Sequence, residues 1–175
     1  METIAKRSLC ATSLLALGTA FELVSQRVPE LQAEIAGWEE GRTVSLGVSP
    51  AGPHMRIQKR GARITFLGMG LGSKDAGTAA GTAILFKNLD SAVMVFAGLI
   101  GSHQAVAENR VAVHGSNRRA MEMTRAMAIV QTYLFPDFML KRTFKRPPTL
   151  SARQLMTKAG IYASLVPMLA LTAWR

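Results

Sequence analysis

The 175-residue chain is half hydrophobic (49%) but only 6% aromatic, so Ala, Leu, Val and Met must fill its core. That length is read most simply as one domain with extensions, and it suffices for a sizeable core. A single cysteine, Cys10, excludes an internal disulfide and a multi-cysteine metal site, and a formal net charge of +10 favours anionic partners: phospholipid headgroups, nucleic acid or acidic cofactors.

Residues 1–20 have the outline of a secretion signal, with Lys6 and Arg7 before an apolar run and a Gly18-Thr19-Ala20 cleavage-like site. The pattern continues past that site through Phe21, Glu22 and Gln26, and Glu2 is foreign to a basic leader. An ordinary first helix with Ile4, Leu14, Leu17, Phe21, Val24 and Val28 along one face is therefore expected. Pro29 suits the first turn of a second helix burying Leu31, Ile35 and Trp38. Short alternating runs follow, at 43–48, 55–58 and 62–67, separated by Gly/Pro turns, which predicts an antiparallel meander, and 82–86 is expected as a fourth strand. The glycine-rich stretch 68–81 reads as a loop. Asp90 is expected to cap a helix over 90–100, apolar nearly all round and far too short to span a bilayer.

Residues 109–136 hold the clearest local pattern. Val111 and Val113 alternate with Arg110, Ala112 and His114 as in a half-buried strand over 110–114. Gly115 supplies a turn, Ser116 or Asn117 a cap, and Ala120, Met123, Met127, Val130 and Leu134 then recur at helical spacing. Pro136 ends that helix near Phe135. Beyond it Lys141, Arg142, Lys145 and Arg146 interleave with Phe138, Met139, Leu140 and Phe144. A last helix, capped by Thr149 or Ser151 and kinked at Pro167, is expected to face inward through Leu155, Ala159, Tyr162, Val166 and Leu169.

This strand-glycine-cap-helix unit resembles the closing unit of the sterol carrier protein type-2 (SCP2-like) lipid-binding domain. Gly81-Thr-Ala-Ile-Leu-Phe-Lys-Asn-Leu-Asp90 before an apolar helix, and Ile35-Ala-Gly-Trp38 before the first strand, are similar to earlier units of bacterial-type members, in the same order. Gly81 departs from the acidic residue that many members carry there. The resemblance covers residues 28–136 and implies an α/β (α+β) fold: a single, mostly antiparallel five-stranded sheet, helices covering one face, and an apolar tunnel between. Residues 1–27 and 137–175 become helical extensions. In the family's arrangement Phe66, Ile84, Phe86, Val95, Leu99, Met121, Met123 and Met127 would line the tunnel, where methionine's unbranched side chain adapts to variable acyl chains.

Two functional expectations follow. In the first, the chain carries a lipid or fatty-acyl ligand without catalysis, without a cofactor, in the cytoplasm and at the membrane periphery. Phe138, Leu140, Lys141, Arg142, Phe144, Lys145 and Arg146 would face an anionic membrane there. In the second, it is an accessory module, its interior filled, that docks on a membrane or a partner enzyme.

Other chemistry fails on spacing. Gly68 and Gly72 enclose three residues where a phosphate-binding loop needs four, and Asp75 follows Lys74 where Ser or Thr belongs. Ser73 replaces the last glycine of a dinucleotide fingerprint. His54, His103 and His114 are scattered and read as surface histidines without metal-ligand spacing. Asp75 and Asp90 make no recognisable carboxylate pair, and Cys10 sits in an apolar helix, where thiols are inert. With two Trp, two Tyr and no nucleic-acid module, nucleic acid is disfavoured.

Overall fold

A computed structural model describes residues 2–71, 81–143 and 150–173. In chain order the elements are α1 (Glu2–Arg27), α2 (Pro29–Ala36), β1 (Thr43–Val48), β2 (Pro53–Arg60), β3 (Arg63–Leu71), β4 (Thr82–Phe86), α3 (Leu89–Phe96), α4 (Ser102–Ala107), β5 (Val111–Gly115), α5 (Asn117–Leu134), α6 (Asp137–Thr143) and α7 (Ala152–Ala173). The fold is mixed α+β around one five-stranded sheet of order β3-β2-β1-β4-β5. Three strand pairs are antiparallel and the central pair β1–β4 is parallel, with Leu46 opposite Ile84.

α1 is the helix most deeply engaged with this sheet. It packs on β2 and β3 and is flanked by α3, α5 and α7. Leu14, Phe21 and Val24 are fully buried, each such burial contributing roughly 1.5–3 kcal/mol. Gly18 allows the close approach: a Cβ there would stand 2.5 Å from the Phe66 ring. Ser25 fixes the far end, its hydroxyl accepting from the Ile64 backbone N–H at 3.0 Å. α1 is long and apolar enough to cross a membrane, but more than half of its most apolar window is buried inside the fold. The expected inward face holds except at Ile4, which is exposed. Val28 is extended because Pro29 follows, and this separates α1 from α2.

Several expectations need correction. β3 runs through Gly68 and Gly70 to Leu71, where a loop was expected from residue 68; residues 72–80, with Ser73, Lys74 and Asp75, lie outside the described part. The glycines there have structural causes. Gly68, at φ +108°, sits beside the register shift between Arg56 and Ile57, and Gly70 pairs with His54. His54 is no surface residue: it is 2% exposed, between Gly70 on one side and Gly47 on the other. A Cβ on Gly70 would meet its ring at 2.4 Å, and one on Gly47 would meet its Cβ at 2.3 Å. His114 is exposed as expected, and the His103 side chain lies outside the description.

The cap of α3 is Asn88 instead of Asp90, its Oδ1 accepting from the Ser91 N–H at 2.8 Å. α3 also stops at Phe96. Leu99 N–H donates to Met94 O and Gly98 N–H to Val95 O, the paired bonds of a helix closed by a left-handed glycine at φ +67°. α7 is rotated from its expected phase. Lys158, Ile161 and Leu165 point inward, while Leu155 and Val166 are exposed with Met156. Leu169 falls outside the described side chains. The inward stripe carries Lys158, held by Asp137, so apolar periodicity alone favoured the other face. Ser151 is the cap, and Gln154 returns the contact by accepting from the Ser151 N–H at 2.9 Å.

Candidate functional site

The eight residues expected to line a tunnel do not share one wall. Ile84, Phe86, Val95, Met123 and Met127 are buried in the continuous core, and Phe66 packs its ring against Gly18. Leu99 and Met121 stand outside it, 45% and 54% exposed. The reason is α1. It lies against the sheet over β2 and β3, and its Leu14, Leu17 and Phe21 belong to the same core as those five.

An apolar cleft opens instead at the other end of the helical layer. α5 must stop at Leu134, because Phe135 precedes Pro136 and is extended at φ −88°, ψ 140°. The chain reverses there, and Met139 and Leu140 donate their N–H groups to Pro136 O as α6 begins. α6 is thereby laid beside the end of α3, with Met139 against Gly98. Between these elements and α1 lies a cleft of about 210 Å3. Its walls are Ala16 and Leu17 of α1, Phe96, and Leu134, Phe135, Pro136 and Met139, with two polar side chains, Ser13 and Gln131. α7 straps the assembly: Tyr162 OH donates to Leu134 O at 2.7 Å, Lys158 Nζ pairs with Asp137 at 3.0 Å, and Arg27 donates to Gly160 O and Ser164 Oγ. Burial pushes the Tyr162 hydroxyl up from its ordinary value.

Of the residues expected to face a membrane, Phe138 is 72% exposed and Lys141 is exposed beside it. Leu140 is corrected: it is buried, because one turn of α6 must face the body of the protein. Phe144, Lys145, Arg146 and the Arg142 side chain lie outside the described part.

A second apolar groove, of about 280 Å3, runs on the surface between Leu15 of α1 and Met69 of β3. At the N-terminal end of α5, a polar cleft of about 240 Å3 is lined by Glu39, Arg42, Ser116, Arg118, Arg119 and Glu122. Its charges are mutually engaged. Buried Arg42 stacks 4.2 Å from the Trp38 ring centre, reaches Glu122 at 2.5 Å and donates to Arg119 O at 2.7 Å, while Arg119 pairs with Glu39. The Arg42 guanidinium holds the Glu122 carboxyl below the usual carboxylate range. Cys10 is buried, which pushes its thiol up and leaves it poorly nucleophilic.

No protein-family model and no curated protein matches the chain. Among solved structures it is similar to one described as a UbiJ-SCP2 ubiquinone synthesis protein, with a TM-score of 0.44 and 12% identity over 67% of this chain and 87% of that one.

The sequence reading missed Ser13, Phe96, Gln131 and Met139 as one group. Pro136 was the available signal, since a helix forced to stop beside an apolar segment brings that segment back over its own end.

Proposed function

We propose that this protein is a non-catalytic lipid-binding module of the sterol-carrier kind, holding the apolar part of a lipid in the cleft between α1, α3, α5 and α6. The observation that carries this reading is the cleft itself, walled by Leu17, Phe96, Leu134, Phe135 and Met139 and, among the described residues, lined by no charged side chain. At about 210 Å3 it is below the ~300 Å3 at which drug-sized pockets begin, so it takes a segment of a chain and not a whole sterol. Phe138 and Lys141, exposed on the same helix as Met139, suit an anionic membrane surface, where the module would dock peripherally on the cytoplasmic side. The test is native mass spectrometry of freshly purified protein, beside Met139→Trp, which fills the cleft. Co-purifying lipid in the wild type and its loss in the variant supports the reading; an empty wild type sinks it.

The second reading is the accessory module with a filled interior, docking on a membrane or a partner enzyme. The observation favouring it is the outward side of α7, where Leu155, Met156 and Val166 are exposed on one helix. An empty protein that still floats with anionic vesicles would favour this alternative.

A further inference from the structure

We infer that the cleft selects a lipid whose buried end is uncharged and hydrogen-bonding, such as an alcohol, ester or ketone, in preference to a free fatty acid, and that Gln131 makes this selection. The inference rests on the cleft being the binding site. Gln131 is only 3% exposed, yet it follows the apolar run Met127-Ala-Ile-Val130 of α5 and lines the cleft. Its amide offers two donors and an acceptor. Among the described residues its side chain makes one long hydrogen bond, from Nε2 to Ser102 Oγ at 3.4 Å. The carbonyl oxygen and the second N–H therefore have no partner among the described residues. Ser13 enters from the facing wall of α1, and its hydroxyl donates to no described residue. A buried amide whose hydrogen-bonding capacity is left unmet costs about 1–3 kcal/mol, so Gln131, with half-buried Ser13 across from it, is matched by a ligand with a donor or acceptor of its own.

The same lining rules on charge. Among the described residues, the lining of Ser13, Ala16, Leu17, Phe96, Gln131, Leu134, Phe135, Pro136 and Met139 includes no cation, and the strap charges Lys158 and Asp137 are occupied with each other. A carboxylate carried to Gln131 would shed its water without a counter-charge, which is far costlier than burying a hydroxyl or carbonyl that bonds the amide. A fatty acid is left to enter chain-first, with its methyl end against the amide and the hydrogen bond unmade.

The experiment titrates the full-length protein with 1-octanol, octanoate and octylammonium at pH 7 by calorimetry, in wild type, Gln131→Met and Met139→Trp. Octanol should bind about tenfold or more tightly than either ion, against the order that a net charge of +10 alone would set, in which octanoate leads. Gln131→Met, which keeps the volume and removes the amide, should erase the octanol advantage. The comparison of the three ligands on wild type stands even if that variant does not fold. Octanoate binding as tightly as octanol, with Met139→Trp abolishing both, would overturn the selection and leave the cleft in place. Binding of none of the three, or binding indifferent to Met139→Trp, removes the cleft and this inference with it.

Discussion

At the scale of single residues, one carboxylate does more than the rest of the acidic set. Glu122 meets Arg42 at 2.5 Å and Arg118 at 3.2 Å, and Arg42 has only 3% of its side chain exposed. Arg42 also stacks on Trp38, whose carbonyl accepts from the buried Lys59 Nζ at 2.6 Å. Removing the carboxylate leaves a buried guanidinium without its counter-charge, which typically costs 3–5 kcal/mol for a fully buried pair. Glu122→Ala should therefore lower stability at pH 7 by roughly 3 kcal/mol, measured by urea unfolding. The sign of the pH dependence follows from the lowered Glu122 carboxyl. A carboxylate with a depressed folded value stabilises above its ordinary unfolded range and loses that contribution as pH falls through the folded value. The gap between wild type and Glu122→Ala should narrow on acidification. A gap independent of pH would show that Ala acts through lost packing alone. Legibility was partial here. The spacing of Arg118 and Glu122, four residues apart on one helix, can be read from the sequence, but Arg42, eighty residues away, cannot be read as their partner.

At the scale of elements, glycine decides which strands approach each other. Gly47, His54 and Gly70 lie side by side in β1, β2 and β3; Gly70 makes the space that the imidazole fills, and Gly47 admits the His54 Cβ and backbone. A Cβ on Gly47 would stand 2.7 Å from His54 Cα and 2.8 Å from Pro53 O, which are backbone atoms of a paired strand and cannot turn aside. Gly47→Ala should cost about 3 kcal/mol, the upper end for overpacking. Gly37→Ala is the control: φ is −79° and nothing lies within 4 Å of the added carbon, so its melting temperature should hardly move. Equal effects of the two would refute the steric account. In the sequence, Gly68 and Gly70 looked like loop residues, because turn propensity cannot distinguish a glycine that bends the chain from one that yields space to a neighbouring strand. α1 shows the same limit on a larger element. Its apolar face was legible; its place across the sheet was not.

At the scale of the molecule, the proposed docking on a membrane would draw on the excess positive charge and on the exposed Phe138 of α6. Lys141, Arg142, Lys145 and Arg146 would each add about 1 kcal/mol of attraction near an anionic bilayer, fading beyond a Debye length of about 10 Å. Phe138 adds apolar area for shallow insertion. Replacing the four basic residues by Gln should reduce sedimentation with phosphatidylserine vesicles at least about tenfold at low salt, and raised salt should weaken the wild type toward the variant. Binding that is equal in both proteins, or unmoved by salt, would place the basic segment among ordinary solvated surface.

Local chemistry determined what the sequence by itself could determine. Alternation placed all five strands, with boundaries moved by a few residues in β2 and β3, and Pro29, Ser116 and Pro136 set helix boundaries where they were expected. These signals act within one turn or one strand, so they survive without knowledge of what lies opposite. The tertiary structure alone decided the rest. It set α1 against the sheet, rotated α7 so that Ile161 and Leu165 face inward, buried His54, and brought Ser13, Phe96, Gln131 and Met139 around one cleft. Each of these depends on which of several similarly apolar faces finds the better-fitting partner, and that is a property of packed volumes across the whole chain.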